Sequence, residues 1–179
     1  MTPCVARFAR ALGKKEQSSL GIIDSQTVKT VQHCNKSGYD AGKKVKGRKR
    51  HILVDTIGLI HGLIVHPANI SERAGAKLLL KPLRDTLGRM KKVIADGGYS
   101  GQNMADWVKE SCGWIFEIVK RTEKHVFKVL PKRWIVERTF GWFNNYRRLS
   151  KDYEYAENTS ENMVYIAMTQ LMMKRLVRN

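Results

Sequence analysis

Short apolar runs separated by polar segments predict five strands along the first two thirds of the chain. These runs cover Gly21–Asp24, His51–Thr56, Leu59–His66, Lys91–Ala95 and Trp114–Val119. The second and third runs meet at Ile57-Gly58, which predicts a β-hairpin. Apolar and polar residues alternate only loosely in these two runs, and this indicates burial on both faces of the hairpin.

Apolar positions recurring at the helical period predict four helices. They cover Gly75–Leu87, Gln102–Ser111, about Arg133 to Ser150, and a last segment introduced by Asn158-x-x-Glu161. Ser71 is a candidate cap for the first of these helices, and Asn158-x-x-Glu161 resembles a capping box. The last helix is expected to bury four residues: Val164, Ala167, Met168 and Leu171.

The polar and basic opening, residues 1–19, predicts a flexible lead-in, and residues 20–179 predict a single domain. The order of strands and helices predicts an α/β fold with a mixed sheet of about five strands flanked by helices. No apolar run approaches the length of a membrane span, and the opening lacks a secretory signal. The three scattered cysteines form no pattern typical of disulfides or zinc, which favours a reducing cytoplasm.

Lysine and arginine number 33 against 16 aspartate and glutamate residues, which gives a formal net charge of +17. A surplus of this size indicates a polyanionic partner, because each neutralised phosphate releases condensed counterions. Nucleic acid is the first candidate and an anionic membrane surface the second. The best candidates for phosphate contact form one basic run: Lys43, Lys44, Lys46, Arg48, Lys49 and Arg50. Such runs are also typical of solvated loops.

Two aspartates lie on predicted apolar strands, where an acid is disfavoured. Asp24 follows Ile22-Ile23, and Asp96 follows Val93-Ile94-Ala95 and precedes two glycines. Sites in open α/β sheets collect at strand ends of this kind. The alternative interpretation of Asp96 is a simple turn, since Asp-Gly pairs commonly begin turns.

A third acid, Glu137, lies on a polar stripe of the predicted third helix. The stripe has helical spacing and contains Arg133, Glu137, Gly141, Asn144 and Arg148, opposite an apolar face. An Arg133–Glu137 pair on a solvated face would explain those two residues but neither the glycine nor the strand acids. Two strand-end aspartates and one helical glutamate are hard oxygen ligands, which suit two Mg²⁺ or Mn²⁺ ions in phosphoryl transfer. The spacing of the three acids does not establish that they converge.

At these residues the chain resembles a known family. The segments IIDSQTVKT, GYDAGKKVKGRKRHILVDTIG, VIADGGYSG, EIVKR and LPKRWIVERTFGWFNNYRRLSKDYE are similar to the catalytic region of IS5-family transposases, within the larger IS4-like DDE group. The resemblance covers roughly residues 20 to 176. It implies an RNase H-like fold with Asp24, Asp96 and Glu137 as the catalytic and metal-binding triad. The implied reaction is metal-assisted hydrolysis at the element ends, followed by attack of the freed 3′-hydroxyl on target DNA.

The chain departs from the IS4-like signature Tyr-x2-Arg-x3-Glu-x6-Lys at two positions. Leu130 stands at the tyrosine position and Asn144 at the lysine position, whereas Arg133 and Glu137 fit. Arg147 or Arg148 is a candidate for the missing phosphate contact. With these, the DNA-binding residues expected on this helix are Arg133, Arg138, Asn144, Arg147 and Arg148. Trp134 and Trp142 are candidates for stacking on an unpaired base, although core packing is the alternative role.

Family members carry an additional N-terminal DNA-recognition region, and this chain begins about twenty residues before Asp24. The sequence is therefore expected to lack that region, with a separate N-terminal transposase polypeptide as a candidate partner. The remaining expectations are double-stranded DNA as substrate, a homo-oligomer on that DNA, and a place in the bacterial cytoplasm at the nucleoid. A catalytically inactive DNA-binding remnant is the alternative function. A structural RNA-binding protein is a third, suggested by charge alone.

Overall fold

A six-stranded mixed sheet forms the centre of the described part of the chain, which comprises residues 2–11, 13, 17–31, 33–119 and 132–177 of a computed structural model. The strands are β1 (Leu20–Lys29), β2 (Gly38–Asp40), β3 (Val45–Val54), β4 (Ile60–Pro67), β5 (Lys92–Ala95) and β6 (Ile115–Ile118). The helices are α1 (Thr2–Ala11), α2 (Glu72–Leu83), α3 (Gln102–Cys112), α4 (Arg133–Phe143) and α5 (Glu157–Val177). None of these helices combines the length and apolar character that crossing a bilayer requires.

The sheet is antiparallel on one side and parallel on the other. Strand order is β2-β3-β1-β5-β6, and β4 also pairs with β3. β1, β2 and β4 are antiparallel to β3, whereas β1, β5 and β6 are parallel to one another. The predicted hairpin is confirmed as β3–β4, but β3 begins at Val45 rather than at His51. Most of the basic run therefore lies inside a strand.

Both faces of the sheet are covered by helices, which confirms the predicted mixed α/β architecture. Ile22 packs into a core cluster with residues of α1, α4 and α5, whereas its neighbour Ile23 packs with α2 and α3 on the opposite face. Alternate side chains of a strand point to opposite faces, so this part of β1 presents apolar side chains to both. Ile52 and Leu53 divide between the two clusters in the same way.

Part of the opening segment, which its polarity predicted to be a flexible lead-in, forms a helix. Residues 2–11 form α1, and Val5 and Phe8 are buried in the core cluster of α4 and α5. The apolar residues of this helix are few but lie on one face, and they gain their burial from a surface that the distant C-terminal helix provides. Tertiary packing here overrides a weak local signal.

Two helix ends also differ from prediction. α4 ends at Phe143, not near Ser150, because the amides of Asn144 to Tyr146 donate to carbonyls three residues back and tighten the chain into turns. Arg147 and Arg148 consequently lie on a separate 3-10 turn, Arg147–Leu149. α5 begins at Glu157, and the predicted capping box is wrong, since Glu161 accepts the amide of Val65 in β4 instead of capping its own helix.

Candidate active site

Strand register places Asp24 and Asp96 side by side. β1 and β5 are parallel, with Leu20 opposite Lys92 and Ile22 opposite Ile94. Extending this register by two residues brings Asp24 opposite Asp96, directly beyond the end of β5. Asp96 also caps the 3-10 turn Gly97–Tyr99, because its Oδ1 accepts the amide of Gly98 at 2.9 Å. The two aspartates thus lie side by side, Asp96 just beyond the C-terminal end of β5, as predicted, and Asp24 within β1 rather than at its end.

Helix α4 places Arg133 and Glu137 beside the two aspartates. The Nη2 of Arg133 lies 3.4 Å from Asp24 Oδ2 and 3.4 Å from Glu137 Oε1. Its Nη1 lies 3.5 Å from Asp96 Oδ2. One guanidinium therefore reaches all three carboxylates, and the structure brings together the three acids that lie far apart in the sequence.

The electrostatic balance of this acid cluster (Asp24, Asp96, Glu137 and Arg133) is negative. Burial, with a smaller contribution from the charge of Asp96, raises the pKa of Asp24 to about 6. The Ser25 amide, which donates to Asp24 Oδ1 at 2.7 Å, and the Arg133 guanidinium act in the opposite direction. Glu137 is more open than the aspartates, with 58% of its side chain exposed. The cluster is thus accessible from solvent on the side of α4 and enclosed on the side of β1.

The donor chemistry of the acid cluster fits a divalent cation, because Mg²⁺ and Mn²⁺ prefer carboxylate oxygens. In the described ranges, no set of three or more His, Cys, Asp or Glu side chains has the close arrangement of a formed metal site. The positive charge toward which the three carboxylates converge is the guanidinium of Arg133. The cluster therefore concentrates negative charge around a cation, and a metal ion placed there would compete with Arg133 for the same oxygens.

The basic run divides into buried and exposed halves, so only part of it is available for the predicted phosphate contact. Arg48, Lys49 and Arg50 are 0%, 4% and 1% exposed. Arg48 donates to the carbonyls of Lys36, Glu154 and Tyr155 and lies 3.4 Å from Asp152. Because it is enclosed and directed at internal acceptors, this guanidinium is not available to DNA.

The neighbours of Arg48 are equally committed to internal partners. Arg50 donates to the carbonyls of Leu149 and Lys151. Lys49 points to the opposite face of β3, where its Nζ lies 3.1 Å from Glu72 Oε1 and 3.0 Å from the carbonyl of Ile70. These three basic residues bind partners inside the protein and are not proposed to contact DNA.

Lys43, Lys44 and Lys46 are the exposed half of the run. Lys43 lies nearest the acid cluster, since its Nζ donates to the carbonyl of Ser25 at 3.3 Å, one residue after Asp24. The turn that carries Lys43 is fixed by Asp40, which accepts the Lys43 amide at 3.0 Å and the Thr27 hydroxyl at 2.7 Å. Lys43 therefore lies beside the acids, although it belongs to the turn before β3 and not to α4.

The remaining predicted DNA-binding residues lie on α4 or just after it and differ in exposure. Arg138 is stacked between Trp134 and Trp142, with its guanidinium carbon 4.6 and 4.8 Å from the two ring centroids, and it donates to the carbonyl of Ile57. Asn144 is exposed. Arg148 is exposed and pairs with Glu154 at 2.8 Å. Leu130, at the signature tyrosine position, lies outside the described residues.

A second polar cluster, which sequence reasoning missed, lies beside Asp24. Ser25 donates to Glu72 Oε2 at 2.6 Å, and Glu72 also contacts Lys49 and His51. The spacing of the five histidines in the sequence matches no metal motif and provided no reason to expect this cluster. The available signal was the ladder of β3 against β1, in which His51 stands opposite Ser25.

Comparison with solved structures identifies the fold. A chain in the cryo-EM structure of the simian T-cell lymphotropic virus intasome in complex with PP2A regulatory subunit B56 gamma superposes with a TM-score of 0.51 at 14% identity. The match covers 85% of this chain and 47% of that chain. The curled mixed sheet, its flanking helices and this likeness define an RNase H-like fold, as predicted.

Comparison with protein families identifies the particular group. The chain matches the Transposase DDE domain family over residues 15–172 and belongs to that family. The putative transposase for insertion sequence element IS402 of Burkholderia cepacia is 30% identical over 115 residues, which cover 60% of this chain and 54% of that protein. The chain therefore spans about half the length of this curated relative. The predicted membership of the DDE group is confirmed.

Proposed function

We propose that this chain is the catalytic domain of an IS5-type DNA transposase, which cleaves DNA at the ends of an insertion element and joins the freed ends to target DNA. The observation that carries the proposal is the convergence of Asp24, Asp96 and Glu137 on one guanidinium. Membership of the DDE family, which generally uses divalent metal ions, supports the same chemistry. We further propose double-stranded DNA as substrate and a homo-oligomer as the working assembly.

The three carboxylates are the proposed metal ligands, with Asp24 and Asp96 side by side at the end of β5 and Glu137 supplied by α4. When bound, Mg²⁺ or Mn²⁺ activates the attacking oxygen and stabilises the leaving oxygen of an in-line displacement. Asp24 must be ionised to act as a ligand, so its raised pKa of about 6 predicts that metal binding weakens as the pH falls through 6. The guanidinium of Arg133 lies beside the proposed metal ligands Asp24 and Asp96. A DNA phosphate bound at these ligands would therefore be within reach of Arg133, which is proposed to bind one of its oxygens.

The exposed lysines of the β2–β3 turn are the proposed phosphate contacts. Lys43 occupies the edge of the acid cluster at the Ser25 carbonyl, where a DNA phosphate entering the site would pass. This placement favours Lys43 over Arg148 as the replacement for the signature lysine that Asn144 lacks, since Arg148 is already paired with Glu154. Lys44 and Lys46, also exposed, extend the same surface.

A nicking assay on supercoiled DNA tests the proposal. Wild-type protein and Asp96→Asn are compared with Mg²⁺ or Mn²⁺ and with a chelator, and Asp106→Asn is the matched control because Asp106 is an exposed acid on α3. We expect metal-dependent nicking by wild type and control, and a loss on the order of 100-fold or more in Asp96→Asn. DNA binding by all three proteins without any nicking would contradict the proposal and favour a binding remnant.

A further inference from the structure

A cavity of about 410 Å³ lies at the C-terminal end of β1, and the proposed mechanism does not use it. Its volume is within the range of ligand-binding pockets. The polar side of its lining consists of three lysines, two hydroxyl-bearing residues and a cysteine: Lys29, Lys44, Lys46, Thr30, Ser37 and Cys34. We call this cavity the lysine pocket.

Within the described ranges, the positive charge of the lysine pocket has no acidic partner. Lys29, Lys44 and Lys46 are exposed, and none of them forms an ion pair with a described carboxylate. Lys49 shows the contrast, because it is buried on the same strand as Lys46 and pairs with two carboxylates. A cleft lined by charges of one sign concentrates ions of the opposite sign. The lysine pocket therefore attracts an anion.

Buried hydrogen bonds hold one wall of the lysine pocket in place. The amide of Asn35 donates to the carbonyl of Tyr155 at 2.9 Å. Arg48 donates to the same carbonyl at 2.6 Å and to the carbonyl of Lys36 at 2.8 Å. The loop between β1 and β2 is therefore fixed to the segment before α5. A wall that is already ordered lowers the entropy cost of binding a ligand.

The turn before β3 supplies a lysine to each of two sites. Lys43 Nζ donates to the carbonyl of Ser25 beside the acid cluster, whereas the next residue, Lys44, lines the lysine pocket. Lys44 has a left-handed backbone conformation with a φ of 54°, which is unfavourable for residues other than glycine. Residues held in such conformations cluster at functional sites. Asp40 stabilises this turn by accepting the Lys43 amide at 3.0 Å.

The lysine pocket is separate from the acid cluster. Lys29 follows Asp24 by five residues on β1, and a rise of about 3.3 Å per residue places the pocket roughly 17 Å away. Neighbouring base pairs of DNA are about 3.4 Å apart along the helix axis. A duplex that follows β1 would therefore bring a second phosphate to the lysine pocket about five base pairs from the phosphate at the acid cluster.

We propose that the lysine pocket is a second phosphate-binding site, which holds the backbone of the DNA whose reacting phosphate lies at the acid cluster. The three ammonium groups neutralise phosphate charge, and the hydroxyls of Thr30 and Ser37 donate to phosphate oxygens, as such groups commonly do at DNA backbones. The identification of the ligand as DNA rests on the proposed function; the attraction of the pocket for phosphate does not. Lys29 lies outside the basic run and joins the site because β1 pairs with β3, where Lys29 stands opposite Gly47.

Alkylation of Cys34 tests whether DNA occupies the lysine pocket. Cys34 lines the pocket and is partly exposed, whereas Cys112 is buried on α3 and reports any unfolding. The full chain is treated with iodoacetamide in EDTA, with and without duplex DNA, and each cysteine is followed by peptide mass spectrometry. At a duplex concentration about ten times the Kd, we expect alkylation of Cys34 to slow about tenfold, because about one pocket in ten remains free. An unchanged rate at Cys34 would overturn the proposal.

Lys29→Gln tests the phosphate contact itself. Lys29 is exposed, so the variant is expected to fold. The slope of log affinity against log salt concentration should become shallower by about one, and the duplex should protect Cys34 less. Lys109→Gln, an exposed change on α3, is the control and should keep the wild-type slope and protection. A wild-type slope in Lys29→Gln would also overturn the proposal.

Inorganic phosphate and the nicking assay separate this proposal from the proposed function. Protection of Cys34 by inorganic phosphate but not by duplex DNA would overturn DNA as the ligand and assign the lysine pocket to free phosphate. Metal-dependent nicking by a wild-type protein whose Cys34 the duplex does not protect would overturn the second phosphate site alone. Protection of Cys34 by the duplex without any nicking would support the lysine pocket and contradict the proposed function.

Discussion

The acid cluster and the buried half of the basic run are opposite solutions to placing charge in a protein. In the first, three carboxylates share one guanidinium, and the cluster opens to solvent at Glu137. In the second, Arg48 and Arg50 meet Asp152 and at least five backbone carbonyls and are closed to solvent. The unbalanced cluster retains a demand for positive charge and suits a ligand. The enclosed one directs its guanidiniums at internal acceptors and suits a structural role.

The sign of the charge on a segment therefore does not reveal the function of that segment. The sequence suggested that the basic run meets DNA, yet Arg48 and Arg50 connect β3 to the segment before α5. The three acids of a strongly basic chain, by contrast, form the site that is open to solvent. Whether a charged group is enclosed among internal partners or open to solvent is the better guide to function.

Removing Arg48 should have the largest effect on stability. Arg48→Met would leave Asp152 buried without its cation and three carbonyls without a donor. We expect the free energy of unfolding to fall by about 3–5 kcal/mol, measured by urea denaturation. Lys46→Met, two residues earlier and exposed, is the control and should change it by no more than about 0.5 kcal/mol. Similar values for both variants would remove the distinction between the halves of the run.

Removing the charge of Asp24 should have the reverse effect. Its pKa is raised from 3.8 to about 6 in the folded state, so ionising it disfavours folding. The cost is absent below pH 3.8, grows as the pH rises toward 6 and is complete above 6. Asp24→Asn should therefore raise the free energy of unfolding by up to about 3 kcal/mol at pH 7.5, a value that already includes the opposing effect of Arg133, while abolishing nicking.

Thermal unfolding of Asp24→Asn and of wild type at several pH values measures this gain. The gain should shrink as the pH is lowered and vanish near pH 4. Asp106→Asn, on the exposed face of α3, should show no comparable pH-dependent gain. A loss of stability in Asp24→Asn at pH 7.5 would mean that the acid cluster is balanced after all.

Substitutions at two helical glycines are expected to have smaller effects. Gly75 lies against the buried His51 and His66, whereas Gly141 lies on the open side of α4. A Cβ at Gly75 in α2 would lie 2.4 Å from His51 Cε1 and 2.6 Å from His66 Nε2. Gly75→Ala should lower the free energy of unfolding by about 1–3 kcal/mol, since the buried rings have no room to move. At Gly141 in α4 no described atom lies within 4 Å, so Gly141→Ala should raise it by about 0.5–1 kcal/mol through helix propensity. Equal effects at both positions would contradict the close approach of α2 to the histidine pair.

The sequence predicted those parts of the fold that depend on local pattern. The hairpin, α3, β5 and β6 follow from runs of apolar residues whose period is visible within about ten positions. Local information also singled out Asp24 and Asp96, because both acids follow apolar runs, but their placement side by side depends on the long-range parallel pairing of β1 with β5. The extent of the basic run in β3 was missed because its partners lie about a hundred residues away, as for Arg48 and Asp152.

Long-range contacts account for the other errors as well. α1 is held by the core cluster of α4 and α5, and Glu161 is drawn from its helix cap to the Val65 amide of β4. Glu72 was missed for a different reason, since an acid in the first turn of a helix is adequately explained by the helix dipole. Only the fold shows that Ser25, Lys49 and His51 surround it.

The exposed half of the basic run provides the last and smallest test. Neutralising Lys43, Lys44 and Lys46 together should leave stability nearly unchanged and weaken DNA binding at every sequence alike. The slope of log affinity against log salt concentration should become shallower by about one for each DNA phosphate that these lysines no longer neutralise. Lys109→Gln, an exposed change on α3, should leave the slope as it is. If the triple variant binds with the wild-type slope, the β2–β3 turn does not contact DNA, and the exposed lysines would be as irrelevant to the ligand as the buried arginines that follow them.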